Sequence, residues 1–337
     1  MMMVLTGGGT GGHLNIIKCL LESASRKGLE CVYIGSENGQ DRLWFDNEKG
    51  FREKFFLSSR GVMNQSGMGK FHALAHIFKL SKQCQQIFSA HGVKAVFSVG
   101  GYSGAPASFA ALFSRLPLLI HEQNAKRGGL NSLLKPFARG FFSAFEKEFA
   151  PYPVRDGFFD LARRREGLGC IIFLGGSQGA SFINDLALNL APKLDQMGVK
   201  IIHQCGGKDL QKCQEAYEAL GISAEVFDFC PHLEEKMHRA DLAISRAGAS
   251  TLFELCANAL PCIFIPYPYA AKNHQFFNAK FLHDRALCQI FTQEQASAEA
   301  VFKAIASINL PHISQNLEGI AQKNAAEFLL QKALKLF

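Results

Sequence analysis

Two histidine-containing segments carry the residue types best suited to proton transfer. The segment GGGTGGH, Gly7 to His13, follows an apolar run, and His13 stands where a helix should begin. The positive end of a helix dipole favours the neutral imidazole, which can accept a proton. The segment HEQN follows another apolar run and offers Glu122 as a second candidate base. The structural alternatives are a solvated or capping histidine at His13 and an ordinary polar turn at HEQN.

Two glycine turns could approach a ligand closely. GGGTGGH matches GxGxxG, but the nearest acidic residue, Glu37, comes later than a dinucleotide site requires, and no P-loop lysine stands at His13. The remaining interpretation is a turn whose N–H groups cradle an anion or meet a substrate, or simply a tight turn. GGSQGA, Gly175 to Ala180, repeats the pattern with Ser177 and Gln178 as donors.

Further polar residues could hold a sugar nucleotide. In SRAGASTLFE, Glu254 could accept hydrogen bonds from a ribose, although Thr251 and Glu254 also fit a capping box. In HQFFNA, Gln275 and Asn278 are three residues apart, which suits the reading of sugar hydroxyls from one helical face. The chain has no D-x-D pair and no metal-ligand spacing, so Arg155 or Arg246 would assist N–H groups in stabilising a leaving pyrophosphate.

Buried strands and glycine turns alternate with helical segments along the whole chain. Apolar runs of four to six residues predict parallel sheets covered on both faces, and ligands bind beyond the carboxyl ends of such strands. LTGGGTGGH and FLGGSQGAS begin the same pattern twice. We predict an α/β protein with two Rossmann-like domains, 1–155 and 156–317. A helix over about 318–337 would pack back on the first domain.

The charge distribution distinguishes the two halves. Residues 1–155 hold 19 Lys and Arg against 10 Asp and Glu, whereas the remainder holds 17 against 19. The segment Gly61 to Phe88 combines lysines with Phe71, Leu74 and Phe78 at helical spacing. It is either a face that contacts anionic lipid or one side of a core helix. No apolar stretch is long enough to span a bilayer, and the ten dispersed cysteines are typical of a reducing cytoplasm.

Seven motifs occur together in one order. They are GGGTGGH, GGY, HEQN with the following GGLN, PVR, GGSQGA, SRAGASTLFE and HQFFNA. On these motifs the chain resembles the MurG family of glycosyltransferases over about residues 4–282. The resemblance implies two Rossmann-like domains facing a cleft, the GT-B arrangement. It implies inverting transfer of N-acetylglucosamine from UDP to the 4-hydroxyl of the muramoyl sugar of lipid I, which forms lipid II in peptidoglycan synthesis. No cofactor or metal is implied.

The resemblance also implies roles for individual residues. His13 would be the base, with Glu122 as its rival. The first domain would take the acceptor and lie peripherally on the cytoplasmic face of the bacterial inner membrane, and the second would bind the UDP sugar. Cys230 would contact uracil through its backbone. The residues implied to bind the donor are Thr10, Gly11, Gly12, Asn124, Arg155, Ser177, Cys230, Ala249, Ser250, Thr251, Leu252, Phe253, Glu254 and Gln275.

Other functions stay open at this point. The chain could transfer a UDP sugar to another lipid or glycan, or bind sugar nucleotides without catalysis. The presence of both His13 and Glu122 disfavours a mere sensor. Nucleic-acid binding is disfavoured because the basic residues lack the aromatic motifs of a known module. The acceptor peptide, the oligomeric state and the protein partners are not predicted.

Overall fold

The computed structural model describes residues 1–61, 68–176 and 179–336. These residues form two compact units, Met1–Val154 with Asn324–Phe337 and Arg155–Lys323. Each unit is built on a parallel six-stranded sheet, so the predicted fold class of two Rossmann-like domains is confirmed. Ser177, Gln178 and residues 62–67 lie outside the described residues.

The first unit alternates strands and helices. Its elements are β1 (Met2–Thr6), α1 (Gly11–Arg26), β2 (Glu30–Ser36), α2 (Asp41–Phe45), β3 (Glu53–Leu57), α3 (Met68–His91), β4 (Ala95–Ser98), α4 (Ala105–Phe113), β5 (Leu118–Glu122), α5 (Gly129–Leu134) and β6 (Gly140–Ser143). The strand order is β3-β2-β1-β4-β5-β6. The order reverses between β1 and β4, so the carboxyl ends of these strands form the topological switch point, where such sheets bind ligands.

The second unit repeats this topology. Its elements are α6 (Asp156–Asp160), β7 (Cys170–Leu174), α7 (Ser181–Gln196), β8 (Lys200–Gln204), α8 (Leu210–Leu220), β9 (Ala224–Phe227), α9 (Leu233–Arg239), β10 (Leu242–Ser245), α10 (Ala249–Ala257), β11 (Cys262–Phe264), α11 (His274–His283), β12 (Cys288–Ile290), α12 (Ala298–Ser307) and α13 (Leu310–Leu317). The order β12-β11-β10-β7-β8-β9 places the switch point between β7 and β10.

The central strands explain why both sheets are parallel and covered. All five residues of β1 are buried, and so are all five of β7. A strand that is apolar on both sides needs helices over each face of its sheet, which the β-α-β connections supply. The glycine turns after β1 and β7 therefore emerge from rigid, fully packed strands.

The last helix begins later than the sequence predicted. α14 spans Ala325–Leu334 and packs against α1. We predicted a helix from about residue 318, but Gly319 and Asn324 adopt left-handed backbone angles, φ +89° and +63°. These angles cannot continue a right-handed helix, so residues 318–324 form a turn instead.

The helix α3 has two different faces. One face exposes Leu74 and Phe78, and the Phe78 ring stacks on Phe113 of α4 at 5.5 Å between ring centroids. The opposite face packs into the core through Ile77, Leu80, Cys84 and Phe88. The core-helix interpretation is therefore confirmed for the buried face, and contact of the exposed face with lipid stays a prediction. None of the described helices is long and apolar enough to cross a bilayer.

Candidate functional site

The glycine turns at the first switch point are packed against each other. Gly7 has a φ of +114°, and a Cβ atom there would lie 2.6 Å from the carbonyl oxygen of Gly100. A Cβ atom at Gly101 would lie 2.6 Å from the carbonyl oxygen of Gly8. Such distances exclude any side chain without backbone movement. Glycine is therefore required because the two turns share one space.

A buried carboxylate holds the first glycine turn. Asp41 has no exposed surface, and its Oδ2 accepts a hydrogen bond from the Gly9 N–H at 2.7 Å. Its Oδ1 accepts from the Tyr33 hydroxyl and from the Ser36 N–H, both at 2.9 Å. Because Gly9 donates inward to a carboxylate, its N–H is not directed at an external anion. The turn therefore fits close approach to a substrate better than a phosphate cradle.

His13 lies at the start of α1, beside the turn after β4 that contains Gly100 and Gly101. Thr10 is the N-cap residue, but its hydroxyl lies 2.9 Å from His13 Nδ1 and makes no side-chain bond to the helix backbone. A Cβ atom at Gly101 would lie 3.5 Å from His13 Nε2. If Nδ1–H donates to Thr10, the lone pair is on Nε2, which is the tautomer of a general base. Thr10 and not His13 occupies the N-cap position, so the interpretation of His13 as a capping residue is wrong.

Glu122 at the end of β5 organises its own loop. Its carboxylate is almost fully buried, and Oε1 accepts from the Asn124 N–H at 2.9 Å. Oε2 accepts from the Gly128 N–H at 2.9 Å and from Asn131 Nδ2 at 3.0 Å. Each hydrogen bond stabilises the carboxylate and fixes the loop that contains Asn124. This geometry favours His13 over Glu122 as the proton acceptor.

His121 stays neutral between these groups. It is fully buried, and its ring nitrogens have no hydrogen-bond partner among the described residues. Burial lowers the pKa of His121 to about 3, and the charge that His13 can carry acts in the same direction. The His121 ring packs edge-on against Tyr152. A permanently neutral imidazole here adds no charge next to His13.

In the second unit, α10 begins at the switch point. Gly248 is the N-cap and Ala249 the first helical residue, so Thr251 lies inside the first turn. The capping-box alternative for Thr251 and Glu254 is therefore wrong. Glu254 is buried instead, and its Oε1 accepts from the Ser250 hydroxyl at 3.0 Å. Burial raises the pKa of Glu254, and the nearby Arg155 opposes that shift.

Arg155 lies near Glu254 and binds the loop after β9. Its guanidinium donates to the carbonyl oxygen of Pro231 at 2.9 Å and to Glu234 Oε2 at 3.0 Å. Pro231 directly follows Cys230, so the Arg155 bond fixes the backbone at the position implied to meet uracil. The structure brings together Arg155, the Cys230 loop and Glu254, which sequence alone could only place on separate turns.

The helix α11 holds the turn between β10 and α10. Gln275 Oε1 accepts from the N–H groups of Ala247, at 3.2 Å, and Tyr267, at 2.9 Å. Asn278 Nδ2 donates to the Ala247 carbonyl at 3.1 Å and is fully buried. The prediction that Asn278 reads sugar hydroxyls is therefore wrong, because its side chain lies within the protein core. Gln275 is half-buried, and its amide N–H groups are oriented by the two bonds to its oxygen.

Arg246 stabilises the turn between β10 and α10 through hydrogen bonds within the second unit. Its guanidinium donates to the Ile265 carbonyl at 3.0 Å and to Gln293 Oε1 at 2.6 Å. Burial lowers the pKa of Arg246 to about 10, so the group remains charged at neutral pH. With these bonds made inside the unit, Arg246 fits a structural role better than contact with pyrophosphate. Arg155 is the remaining arginine candidate.

Asp41 and Asn184 hold glycine turns or strand ends in the structure, although the sequence did not predict either role. Asp41 follows β2 and could have been considered as a buried acid of the kind that Rossmann-like turns use, but only Glu37 was weighed. Asn184 lies in α7 among apolar residues, where nothing in the sequence distinguishes it from a surface polar residue. Both side chains act on partners more than 20 residues away.

Comparison with known proteins gives consistent matches in both units. Residues 3–143 match the model of the glycosyltransferase family 28 N-terminal domain, and residues 170–335 match that of the family 28 C-terminal domain.

Individual relatives match over nearly the whole chain. A protein of Campylobacter jejuni named UDP-N-acetylglucosamine--N-acetylmuramyl-(pentapeptide) pyrophosphoryl-undecaprenol N-acetylglucosamine transferase is 67% identical over 99% of this chain and 98% of its own. A protein of the same name from Campylobacter fetus is 51% identical over 99% of this chain and 100% of its own. The crystal structure of Acinetobacter baumannii MurG superposes with a TM-score of 0.78 at 26% identity, covering 99% of each chain.

Proposed function

The chain belongs to glycosyltransferase family 28, and from this premise we propose that it transfers N-acetylglucosamine from UDP to the muramoyl 4-hydroxyl of lipid I. The product is lipid II, and the reaction inverts the anomeric centre. The observation that carries the proposal is a polar group on the helix that begins at the switch point of each unit: His13 of α1 in the first, and in the second the buried Glu254 of α10 with the partly exposed Arg155 nearby.

The first unit supplies the base and binds the acceptor. His13 Nε2 takes the proton of the acceptor 4-hydroxyl as its oxygen attacks the anomeric carbon of the donor sugar. Thr10 holds the imidazole through Nδ1, which keeps Nε2 directed at the substrate. The close-packed glycine turns let the acceptor approach His13 without a side chain in between. The same turn, through Thr10, Gly11 and Gly12, lines the donor.

The second unit holds the donor. The N–H groups of the first turn of α10, Ala249 to Thr251, stabilise the charge that develops on the leaving UDP. Glu254 accepts hydrogen bonds from the ribose hydroxyls, with Leu252 and Phe253 completing that turn. Arg155 fixes the backbone of Cys230 against uracil. Asn124, Ser177 and Gln275 contact the donor sugar or its phosphates.

A transfer assay tests this function. Purified protein, with EDTA present, should move labelled N-acetylglucosamine from UDP to a lipid I analogue, because the proposed groups stabilise UDP without a metal ion. Tight UDP binding with no transfer would indicate another acceptor or a binding protein. Absence of both binding and transfer would contradict the proposal altogether.

We also propose that the exposed face of α3 with α4 lies on anionic membrane at the cytoplasmic side of the inner membrane. Phe78 and Phe113 are 56% and 47% exposed, and Phe109 completes their stack. Lys79 and Lys82 are exposed on the same helix. Exposed aromatic rings next to lysines suit the interface of an anionic bilayer, and the first unit carries the excess positive charge.

Binding to lipid vesicles tests this membrane face. Phe78→Asp combined with Phe113→Asp should release the folded protein from vesicles that contain phosphatidylglycerol, because carboxylates replace the inserted rings. Leu220→Asp, at an exposed leucine of the second unit, is the matched control and should leave binding unchanged. Vesicle binding by the double variant equal to that of the parent protein would refute the proposed face.

A further inference from the structure

A chain of hydrogen bonds between buried polar side chains joins α8, β8 and α7 in the second unit. The Tyr217 hydroxyl lies 3.1 Å from His203 Nδ1, and His203 Nε2 lies 3.0 Å from Asn184 Oδ1. Asn184 Nδ2 in turn donates to Asp209 Oδ2 at 2.9 Å. Tyr217, His203 and Asn184 are each at most 2% exposed. The chain connects α8, β8 and α7 to the N-cap residue of α8, and none of its members contributes to the transfer step described above.

Every hydrogen bond in this chain has one direction. Asn184 Nδ2 donates both to Asp209 and to the Cys205 carbonyl, at 3.1 Å, so Asn184 Oδ1 must accept from His203. His203 therefore carries its proton on Nε2 and accepts on Nδ1 from the Tyr217 hydroxyl. Burial lowers the pKa of His203 to about 4 and raises that of Tyr217, so neither group changes charge near neutral pH.

The far end of the chain holds the glycine turn after β7. A Cβ atom at Gly179 would collide with the carbonyl oxygen of Cys205, which is the oxygen that Asn184 binds. The Gly175 N–H donates to the Gln204 carbonyl at 3.3 Å. The Ser181 hydroxyl, at the start of α7, donates to the same Asp209 oxygen as Asn184, at 3.3 Å. Asn184 thus fixes the strand end against which this turn packs.

We infer that Asn184 is a positioning residue for the donor: through Cys205 and Asp209 it sets Gly175, Gly179 and Ser181, which follow β7 and lead into α7, and His203 sets Asn184. The inference rests on the proposed function, in which the second unit binds the UDP sugar at the carboxyl ends of its strands. Displacement of these described residues by about 1 Å would weaken donor binding 10-fold or more. Binding of the lipid acceptor would be unaffected, because the acceptor is assigned to the first unit.

Substitution of Asn184 by aspartate is the most direct test. Asn184→Asp keeps the side-chain volume, removes both N–H donors and places a second carboxylate beside Asp209. We expect the KM for UDP-N-acetylglucosamine to rise about 10-fold or more, with the acceptor KM unchanged. Leu190→Ala, at a buried position on the same helix, is the matched control. It should lower the melting temperature as much or more and leave the donor KM unchanged.

Two variants of His203 separate positioning from packing. In His203→Gln the amide N–H replaces Nε2–H, so Asn184 keeps its orientation and the donor KM should stay within about twofold of the parent value. In His203→Leu that donor is lost, and the donor KM should rise as in Asn184→Asp. Equal donor KM values for His203→Gln and His203→Leu would overturn the role of His203 in the inference.

The outcomes for the function and for the inference are distinct. If the parent protein transfers sugar and Asn184→Asp has an unchanged donor KM, the inference is wrong and the proposed function stands. A donor KM raised equally by Leu190→Ala would also overturn it, because general loosening of the unit would then explain the effect. If the parent protein neither binds UDP nor transfers sugar, both fail.

Discussion

At the residue scale, the two candidate bases differ in how their polar atoms are used. Glu122 directs both oxygens at loop N–H donors, whereas His13 Nδ1 lies 2.9 Å from the Thr10 hydroxyl and His13 Nε2 is next to the turn at Gly101. Three protein donors already bind the Glu122 carboxylate, and they hold it against its own loop. We therefore propose that His13 abstracts the proton and that Glu122 holds the loop.

The pH dependence of Glu122→Gln separates these roles. The glutamine N–H2 group would face the N–H of Gly128 or Nδ2 of Asn131, so we expect a lower melting temperature and reduced turnover. The acid limb of the kcat profile should persist, because the proposed base, His13, is unchanged in this variant. Measurement of kcat between pH 5 and 9 checks this, with the parent protein as reference. A Glu122→Gln variant that melts normally and lacks the acid limb would assign the base to Glu122.

At the element scale, one arginine joins the segment before β7 to the helices beneath it. Arg165 has no exposed surface, and it donates to the backbone carbonyls of Met237 and Ala240 and to the side chain of Asn258. Burial lowers the pKa of Arg165 to about 9, so it remains charged at neutral pH. Its partners lie more than 70 residues further along the chain, in α9 and after α10.

Adjacent arginines allow a matched test of this role. Arg165→Met leaves several buried carbonyl oxygens without a donor, and we expect it to lower the free energy of unfolding of the second unit by about 3 kcal/mol or more. Arg164 pairs with Glu318 on the surface, where solvent screens the pair, so Arg164→Met should leave the free energy of unfolding almost unchanged. Urea denaturation of both variants measures the difference. Equal urea midpoints for the two variants would show that Arg165 contributes no more to stability than the exposed Arg164.

The elements predicted from the sequence are those whose signal is local. A strand, a glycine turn and a helix start are contiguous, so the turns at His13 and Glu254 could be located before the structure was known. Asp41 and Arg165 could not, because their partners are 32 and more than 70 residues away and come together only in the folded sheet. Asn278 was misassigned for a related reason, since helical spacing shows which residues share a face but not whether that face is buried.

At the scale of the whole molecule, buried neutral histidines predict a loss of stability in acid. Burial lowers the pKa of His203 to about 4 and that of His121 to about 3, whereas both would titrate near 6.5 in the unfolded chain. Between about pH 6.5 and 4 only the unfolded state takes up these protons, so stability falls as pH decreases. Each histidine contributes up to about 1.4 kcal/mol per pH unit in that window.

Melting temperatures at pH 7.5 and 5 check this dependence. His203→Gln removes one of the two groups, so the acid-induced decrease of its melting temperature should be smaller than that of the parent protein. An exposed histidine provides the control, and His283→Gln should behave like the parent. An identical decrease for His203→Gln and the parent would mean that the buried imidazole does not govern acid stability.

In the proposed mechanism, the first unit abstracts the proton and the second unit binds the donor. Turnover and UDP affinity measured side by side on His13→Ala and Glu254→Ala test that division most directly. We predict that His13→Ala lowers kcat by about 10²-fold or more with the Kd for UDP unchanged. Glu254→Ala should weaken UDP binding by about 10-fold or more, since charged hydrogen bonds to the ribose are lost. Weakened UDP binding in His13→Ala, or unchanged UDP binding in Glu254→Ala, would contradict the division.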